Sequence, residues 1–481
     1  MLIIVLFLIN AAMNFVLSLV LAKFLGPEGF GVYAIAFSAA VVTNVILLDW
    51  IRLSATRFYS ENTRLNAPEV RATLDVLQAA GSLLVIIITG VLVLSGMELG
   101  LATSVVIMTS VSAITISLYD YRTALTRSRF LDRPYAKLIL IKNALSLVLM
   151  VLGAWYFKDV TIVLAGYVIS MAVTLLSVHR VLSDPEARWN LFNAPLAKQY
   201  FAYGSHLVVA HGIYQLIPFV NRSVIGVYFG LAEAGFFALA SDVGFRLFAA
   251  LGSSMDMLLF QRAVRRESLE GFQAGQAQVA HNILIILMLI FPACLGYAVV
   301  LPVFAEVFVP AAFINAFVNY GTVLAPSLFL LCLVQYGFSP VFQIRHRTMM
   351  VSLVALTGLA VNLVGLLILT LVYPASSLAL ASLQTLSMVV IAFISGVVAY
   401  RHAESWPRLR DIFAACLAGL VMVLCLLPLR ALDWHPLILL PIMIVTGIVV
   451  YGGIVLIFNV GQSASYTLSH LKTFIARKRS S

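Results

Sequence analysis

Stretches of about twenty consecutive apolar residues, separated by short polar connections, recur from one end of this 481-residue chain to the other. They fall at 2–23, 31–51, 73–95, 99–119, 135–157, 160–179, 204–229, 232–257, 279–303, 318–342, 349–372, 376–399, 411–428 and 435–458. A bilayer core of about 30 Å takes about 20 apolar residues per helix, and a segment in lipid must satisfy its own backbone hydrogen bonds. The pattern therefore predicts an all-α polytopic membrane protein of about 14 transmembrane helices. Charged residues make up 10% of the chain, against roughly 25% in soluble domains, so too little polar surface exists to wrap a water-soluble core of this size. The first stretch is too long for a signal-peptide core and lacks a charged lead, so it is expected to stay as a helix.

The net charge of +10 is first a matter of topology. Alternate connections, together with the carboxy-terminal tail, hold 24 of the 30 Lys and Arg residues, in groups such as Arg52, Arg57, Arg64 and Arg71, or Arg122, Arg127, Arg129, Arg133 and Lys137. The opposite connections hold only Lys23, Lys158 and Arg430; Lys142, Arg222 and Arg246 fall inside apolar stretches. By the positive-inside rule this bias puts both termini in the cytoplasm and supports an even helix count. It leaves no need for a nucleic-acid partner.

All connections are short, so there is no room for a soluble catalytic module. No phosphate-binding loop or nucleophile-and-base constellation occurs, and no catalytic residues are expected. Cys294, Cys332, Cys416 and Cys425 lie in apolar stretches without paired spacing and read as small core residues, not as a disulfide framework or metal site.

Sliding the chain on itself by 204 residues sets Leu25 to Ala36 (LGPEGFGVYAIA) against Phe229 to Ala240 (FGLAEAGFFALA). Gly26, Gly31, Ala34 and Ala36 meet Gly230, Gly235, Ala238 and Ala240. The shift carries the first stretch onto the seventh, an even number of spans, so the two halves keep the same membrane orientation, as in parallel repeats. The expected organisation is a six-helix lobe with its linker over 1–200, a second over 201–400, and two added helices with a basic tail over 401–481.

Leu21 to Ser38 (LAKFLGPEGFGVYAIAFS), followed by Asp49 to Tyr59 (DWIRLSATRFY), resembles the opening signature of the polysaccharide transporter family, the Wzx-type flippases of the multidrug, oligosaccharidyl-lipid and polysaccharide exporter superfamily. Gly226 to Ala240, the Phe304 to Ala312 turn leading to Leu324 to Leu331, and Phe342 to Leu366 with Asn362 fit in order. Two features depart from the family pattern: the amino terminus lacks a basic lead, and the turn before the twelfth stretch reads YPASSLALA where a Gly-rich version is usual. The resemblance implies movement of an undecaprenyl-pyrophosphate-linked oligosaccharide (an O-antigen, capsule or exopolysaccharide unit) across a bacterial inner membrane by alternating access. It implies membrane lipids and the lipid-linked glycan as partners, with a glycan polymerase and other assembly proteins nearby. No cofactor is expected; proton or sodium coupling is left open.

A charge at mid-bilayer costs roughly 2.5 to 3.5 kcal/mol on the insertion scale, so intramembrane ionisable residues are functional candidates. His211, Gln215, Pro218 and Arg222 fall at i, i+4, i+7 and i+11 on one helical face. Asp242 and Arg246 are i, i+4, with Ser253 and Asp256 continuing that face. Lys142 adjoins Asn143, and Asn10 and Asn14 share a face of the first helix. The functional account has Arg222, Arg246 and Lys142 neutralising pyrophosphate while His211, Gln215, Asn10 and Asn14 donate to sugar hydroxyls, in a cationic cavity. The structural account has Arg246 pairing with Asp242, Lys142 snorkelling, and His211 and Gln215 bonding between helices. Asp49 and Asp242 are candidates for ion coupling, although Asp49 also suits a surface pair with Arg52.

Other patterns carry less. Gly226 to Gly230 is a GxxxG at a helix end, and reads as punctuation before a turn. Asn221-Arg222-Ser223 is a sequon inside a span. His206 and His211 are five apart, where two ligands on one helix face want three or four. Arg262, Arg265 and Arg266 mark orientation first and lipid headgroups second. Competing functions are a lipid II flippase and a cation-coupled multidrug exporter of the same superfamily. A membrane glycosyltransferase or ligase would need a substantial catalytic loop, and a scaffold would not need charge in its spans.

Overall fold

The computed structural model describes residues 2–96, 100–345, 349–371 and 376–462, without the side chains of 2–8, 206, 207, 256, 257 and 462. The side chains of His206 and Asp256, and the basic residues Arg347, Lys472, Arg477, Lys478 and Arg479, thus lie outside the described residues. Within them every regular element is helical. In chain order the α-helices are α1 (Leu2–Leu47), α2 (Asp49–Phe58), α3 (Glu61–Asn66), α4 (Pro68–Leu94), α5 (Thr103–Ser128), α6 (Asp132–Leu152), α7 (Val160–Val178) and α8 (Ala194–Phe229). There follow α9 (Leu231–Glu270), α10 (Phe272–Phe308), α11 (Ile314–Cys332), α12 (Ser339–Ile344), α13 (Met349–Leu371), α14 (Ser377–His402), α15 (Leu409–Arg430) and α16 (Pro436–Ile457).

Twelve helical segments among the described residues are long and apolar enough to cross a membrane, against fourteen stretches in the sequence. One of the twelve lies in α1, which holds the first stretch and most of the second and is broken at Gly26 (φ 69°, ψ 178°) beside Pro27. The 36-residue α8 stands outside the twelve. Helices also outrun the apolar stretches at the basic ends: α5 continues to Ser128, α8 begins at Ala194 and α9 reaches Glu270. An apolar stretch ends where lipid ends, whereas a helix keeps its own hydrogen bonds and can continue into water. Residues counted as loop, Arg122, Arg127 and Arg262 among them, therefore stand on helices.

Two compact units divide the chain. The first comprises residues 1–243 and 362–380. Its core joins Leu48, Ile51, Leu74, Tyr121, Leu125, Leu138 and Tyr200. At the end carrying the basic connections, the short helices α2 and α3, absent from the apolar pattern, knit the helix ends together. Ser60 caps α3 by accepting from the Thr63 amide. Glu61 binds Arg64 at 2.7 Å and Arg129 at 2.6 Å. Asp184, between α7 and α8, accepts from the Tyr59 hydroxyl and pairs with Arg64 at 3.5 Å and Arg71 at 3.9 Å. Buried Arg71 also holds Asp75 at 2.8 Å and lies over the Tyr59 and Tyr121 rings.

At the other end of this unit the two repeat segments meet. A methyl group on Gly31 would collide with the Leu231 carbonyl oxygen, and one on Gly235 with the Pro27 carbonyl oxygen. The contact is reciprocal at the 204-residue shift: each glycine faces the carbonyl four residues before its mate, as in a contact across a two-fold axis. Gly26 and Gly230, the preceding repeat mates, both have positive φ (69° and 94°) with extended ψ, a region essentially confined to glycine. Among the described residues a methyl group on Gly230 would meet nothing, which fits punctuation.

The second unit comprises residues 244–361 and 381–481. Phe248, Ile286, Ile290, Cys294, Leu328 and Cys332 form one core cluster, and Met422, Leu426, Leu439 and Met443 another. The sequence expectation of four core cysteines is corrected: Cys425 is exposed and Cys416 only half-buried. Both sit on α15, whose outer face also exposes Leu417, Leu420 and Leu424; an apolar helix facing lipid has no need to bury a small thiol.

Candidate functional site

Helix α8 lies antiparallel along the part of α1 that follows Gly26 and along α2. Gly204 meets Trp50, Gly212 faces Val45, and Gly226 packs on Ile35. Small residues at such contacts let helix backbones approach in a membrane, where no hydrophobic effect drives helices together. Ser54 Oγ fixes the basic end by donating to the Tyr200 carbonyl at 2.9 Å, and the Trp50 and Phe201 rings meet edge to face.

Between α1, α2, α5 and α8 lies a cavity of about 310 Å³ whose polar walls are Asn44, Asp49, Arg52, Asp120, Arg127 and His211. Asp49 is buried and held by Arg52 through two hydrogen bonds, Nη2 to Oδ2 at 2.8 Å and Nε to Oδ1. Asp120 accepts a long bond from Asn44 Nδ2 at 3.4 Å, while Asn44 Oδ1, buried, has no hydrogen-bond partner among the described residues. Arg127 and His211 are exposed and make no hydrogen bond or ion pair among the described residues. The Thr56 and Thr123 hydroxyls complete the polar lining. Two carboxylates, two guanidiniums and an imidazole make the site mixed in charge, with one acid neutralised by its own arginine and one arginine free to meet an anion.

Of the sequence candidates, His211 and Asp49 line this cavity. The pair of Asp49 with Arg52 exists, but inside the cavity and not at the surface. Arg222, on the same helix as His211, is instead buried at 4% exposure. Its Nη1 donates to the Ala34 carbonyl at 2.9 Å and to Ser38 Oγ, and its Nη2 pairs with Asp242 at 2.7 Å. The pairing of Arg246 with Asp242 is thereby corrected: Asp242 is taken by Arg222, across helices, and half-buried Arg246 has no ion pair among the described residues. Lys142 Nζ lies 5.8 Å from the centre of the Tyr119 ring. Asn10 and Asn14 bond to Asn143 of α6, with Asn143 Nδ2 donating to Asn10 Oδ1 at 2.7 Å, so these three amides join α1 to α6 within the first unit. Gln215 makes no hydrogen bond among the described residues and does not line the cavity.

The sequence pattern does not mark Asp120 or Asn44; it marks Arg127 as an orientation signal, and Arg52 as an orientation signal and the partner of Asp49. Asp120 falls one residue past an apolar stretch; its place on α5 could have been caught by continuing the helical period through YDYR. Among the described residues no group of three or more His, Cys, Asp or Glu side chains is placed to hold a metal.

The model of the polysaccharide biosynthesis protein family matches residues 1–245, half of the chain and nearly all of the first unit. The chain belongs to that family. No curated protein sequence matches it significantly. Among solved structures, this member of the polysaccharide biosynthesis family shares its fold with the lipid II flippase MurJ in an inward closed conformation, at a TM-score of 0.74 and 14% identity over 95% of this chain and 98% of that one. It also resembles an inward-facing multidrug resistance MATE family transporter of the MOP superfamily, at TM-score 0.57 and 14% identity, and an outward-facing one at 0.53 and 13%. Each of these covers 83% of this chain and 94% of the transporter. The all-α, multi-pass membrane architecture read from the sequence is thus that of a family member.

Proposed function

We propose that the protein is a flippase that moves an undecaprenyl-pyrophosphate-linked oligosaccharide across a bacterial inner membrane by alternating access. It is multi-pass, with its basic connections and both termini in the cytoplasm. Two six-helix lobes, 1–200 and 201–400, carry the movement, and residues 401–481 add two helices and a tail. The observation that carries this reading is the guanidinium of Arg127, unpaired among the described residues, on the same polar cavity as His211, within the part of the chain that the family model matches. An arginine suits a pyrophosphate by offering paired donors in a fixed fork. The lipid tail stays in the bilayer while Thr56, Thr123 and the Asn44 amide are at hand for hydroxyl groups. The fold shared with a lipid II flippase supports a polyprenyl-pyrophosphate cargo, and the family match favours a polysaccharide unit on it.

The test is translocation of a fluorescent undecaprenyl-pyrophosphate oligosaccharide in proteoliposomes at set membrane potential, with and without pH and sodium gradients. Wild type should move the lipid, Arg127→Ala should lose most of that movement, and Arg127→Lys should keep part of it. No movement of several such lipids, together with efflux of organic cations, would replace this reading with a drug exporter.

A further inference from the structure

We infer that the backbone contact between Gly31 and Gly235, locked by Arg222, is the closure of the transport path at the end opposite the basic connections, an inference that rests on the alternating-access reading above. Three observations meet there. The glycines bring the starts of two helical segments so close that neither position has space for a methyl group. A seam of touching backbones passes no sugar. Next to it, Arg222 ties three elements together: Ala34 and Ser38 of α1, its own α8, and Asp242 of α9. Its buried Nε has no hydrogen-bond partner among the described residues. Finally, one side of the lock faces water: the Asp242 side chain is 32% exposed and stays hydrated when the pair parts, so the cost of opening falls on the buried Arg222 guanidinium, which must gain water as the seam opens.

The reciprocity adds a requirement that a casual helix contact would not. Since each glycine faces the carbonyl four residues before the other, parting the helices releases both contacts together. The seam is therefore shut or open, with little between. Arg222 in this account is a positioning residue that sets how long the outer end stays shut; the headgroup contact belongs to Arg127 at the other end.

The test places a reporter cysteine in the seam, Ala34→Cys or, separately, its repeat mate Ala238→Cys, both buried. The background is the full chain with Cys416→Ala and Cys425→Ser. A membrane-impermeant thiol reagent is added from the outer face of right-side-out vesicles. Gly31→Ala and Gly235→Ala should each raise the labelling rate at least fivefold, and so should Asp242→Asn and Arg222→Ala. Gly452→Ala, where a methyl group has open space, should leave it unchanged. Unchanged labelling of both reporters in the glycine and the lock variants, with the proteins present at parental levels, overturns the inference. The readout needs no cargo: raised labelling in a protein that moves no lipid-linked sugar would leave the closure standing and remove the flippase reading. Normal transport with unchanged labelling would do the reverse.

Discussion

Gly31 and Gly235 stand 204 residues apart in the chain, yet each lies against the carbonyl oxygen four residues before the other. The pairing of Gly31 with Leu231 is the pairing of Pro27 with Gly235, turned about an axis. An alignment with four identities in twelve residues thus corresponds to a physical symmetry, and the same shift relates the two positive-φ glycines Gly26 and Gly230.

Those two turn glycines should respond alike to substitution. Gly26→Ala and Gly230→Ala meet no steric neighbour among the described residues, so their cost there is backbone strain, about 1 to 3 kcal/mol each. Gly452→Ala, inside a helix with space around it, should be neutral or stabilising by up to about 1 kcal/mol. Thermal unfolding in detergent measures all three; equal Tm values for Gly26→Ala and Gly452→Ala would refute the strain argument.

The Arg222 and Asp242 pair should break asymmetrically. Asp242→Asn leaves a nearly buried guanidinium without its counter-charge, at a cost of roughly 3 kcal/mol, the lower end for a broken buried pair because two neutral acceptors remain. Arg222→Met leaves a carboxylate that water can reach, and should cost about 1 kcal/mol. The double variant should be more stable than Asp242→Asn alone. Denaturant titration of the purified protein decides it, and a larger loss for Arg222→Met would show that Asp242 is the dependent partner.

Within the cavity, Asp49 and Arg52 should act in opposite directions on an anionic cargo. Removing the acid in Asp49→Asn frees a second guanidinium, and removing the base in Arg52→Gln leaves a bare carboxylate. A unit charge about 7 Å from the headgroup is worth about 2 kcal/mol at an effective dielectric constant of 20. Half-saturation should therefore fall more than tenfold in Asp49→Asn and rise more than tenfold in Arg52→Gln. Initial flipping rates against lipid concentration give both values; shifts of the same sign would mean that the pair acts only as a brace.

The brace around Glu61 should be insensitive to mild acid. The Arg64 hydrogen bond, with Arg129 adding to it against a smaller desolvation, holds the Glu61 carboxyl below the ordinary glutamate range. A lowered pKa gives stability that is fully present above the unfolded value of about 4.3 and lost as pH falls through the folded one. Half-exposed as it is, the brace contributes below about 1 kcal/mol and weakens with salt. Hydrogen exchange over residues 60–67, corrected for intrinsic rates, should be the same at pH 7 and pH 5 and quicken only below about pH 4. Loss of protection already at pH 5 would show that the two arginines do not hold it.

The sequence made the spans readable because a lipid boundary is written in apolar residues one after another. It was silent on which helix face meets which neighbour. Asn10 and Asn14 were correctly set on one face, but only packing reveals that Asn143 of α6 answers them. Asp242 lay one turn from Arg246 and was taken up by Arg222 from α8, since proximity in three dimensions overrode helical spacing. Asp120 escaped because the apolar stretch stops at residue 119 while α5 runs on to Ser128. His211 and Asp49 were found because an ionisable group inside or beside a span is costly enough to stand out.

The mutual fit of Gly31 and Gly235 also bears on ancestry. A half-length forerunner carrying this turn once could have met a second copy of itself through the same pair of glycines and carbonyls, with nothing new to invent. A larger residue at either glycine spoils both contacts at once, because the helices it pushes apart carry the other contact too. This pair of positions is therefore bound to a common fate, even as the surrounding halves become different in sequence.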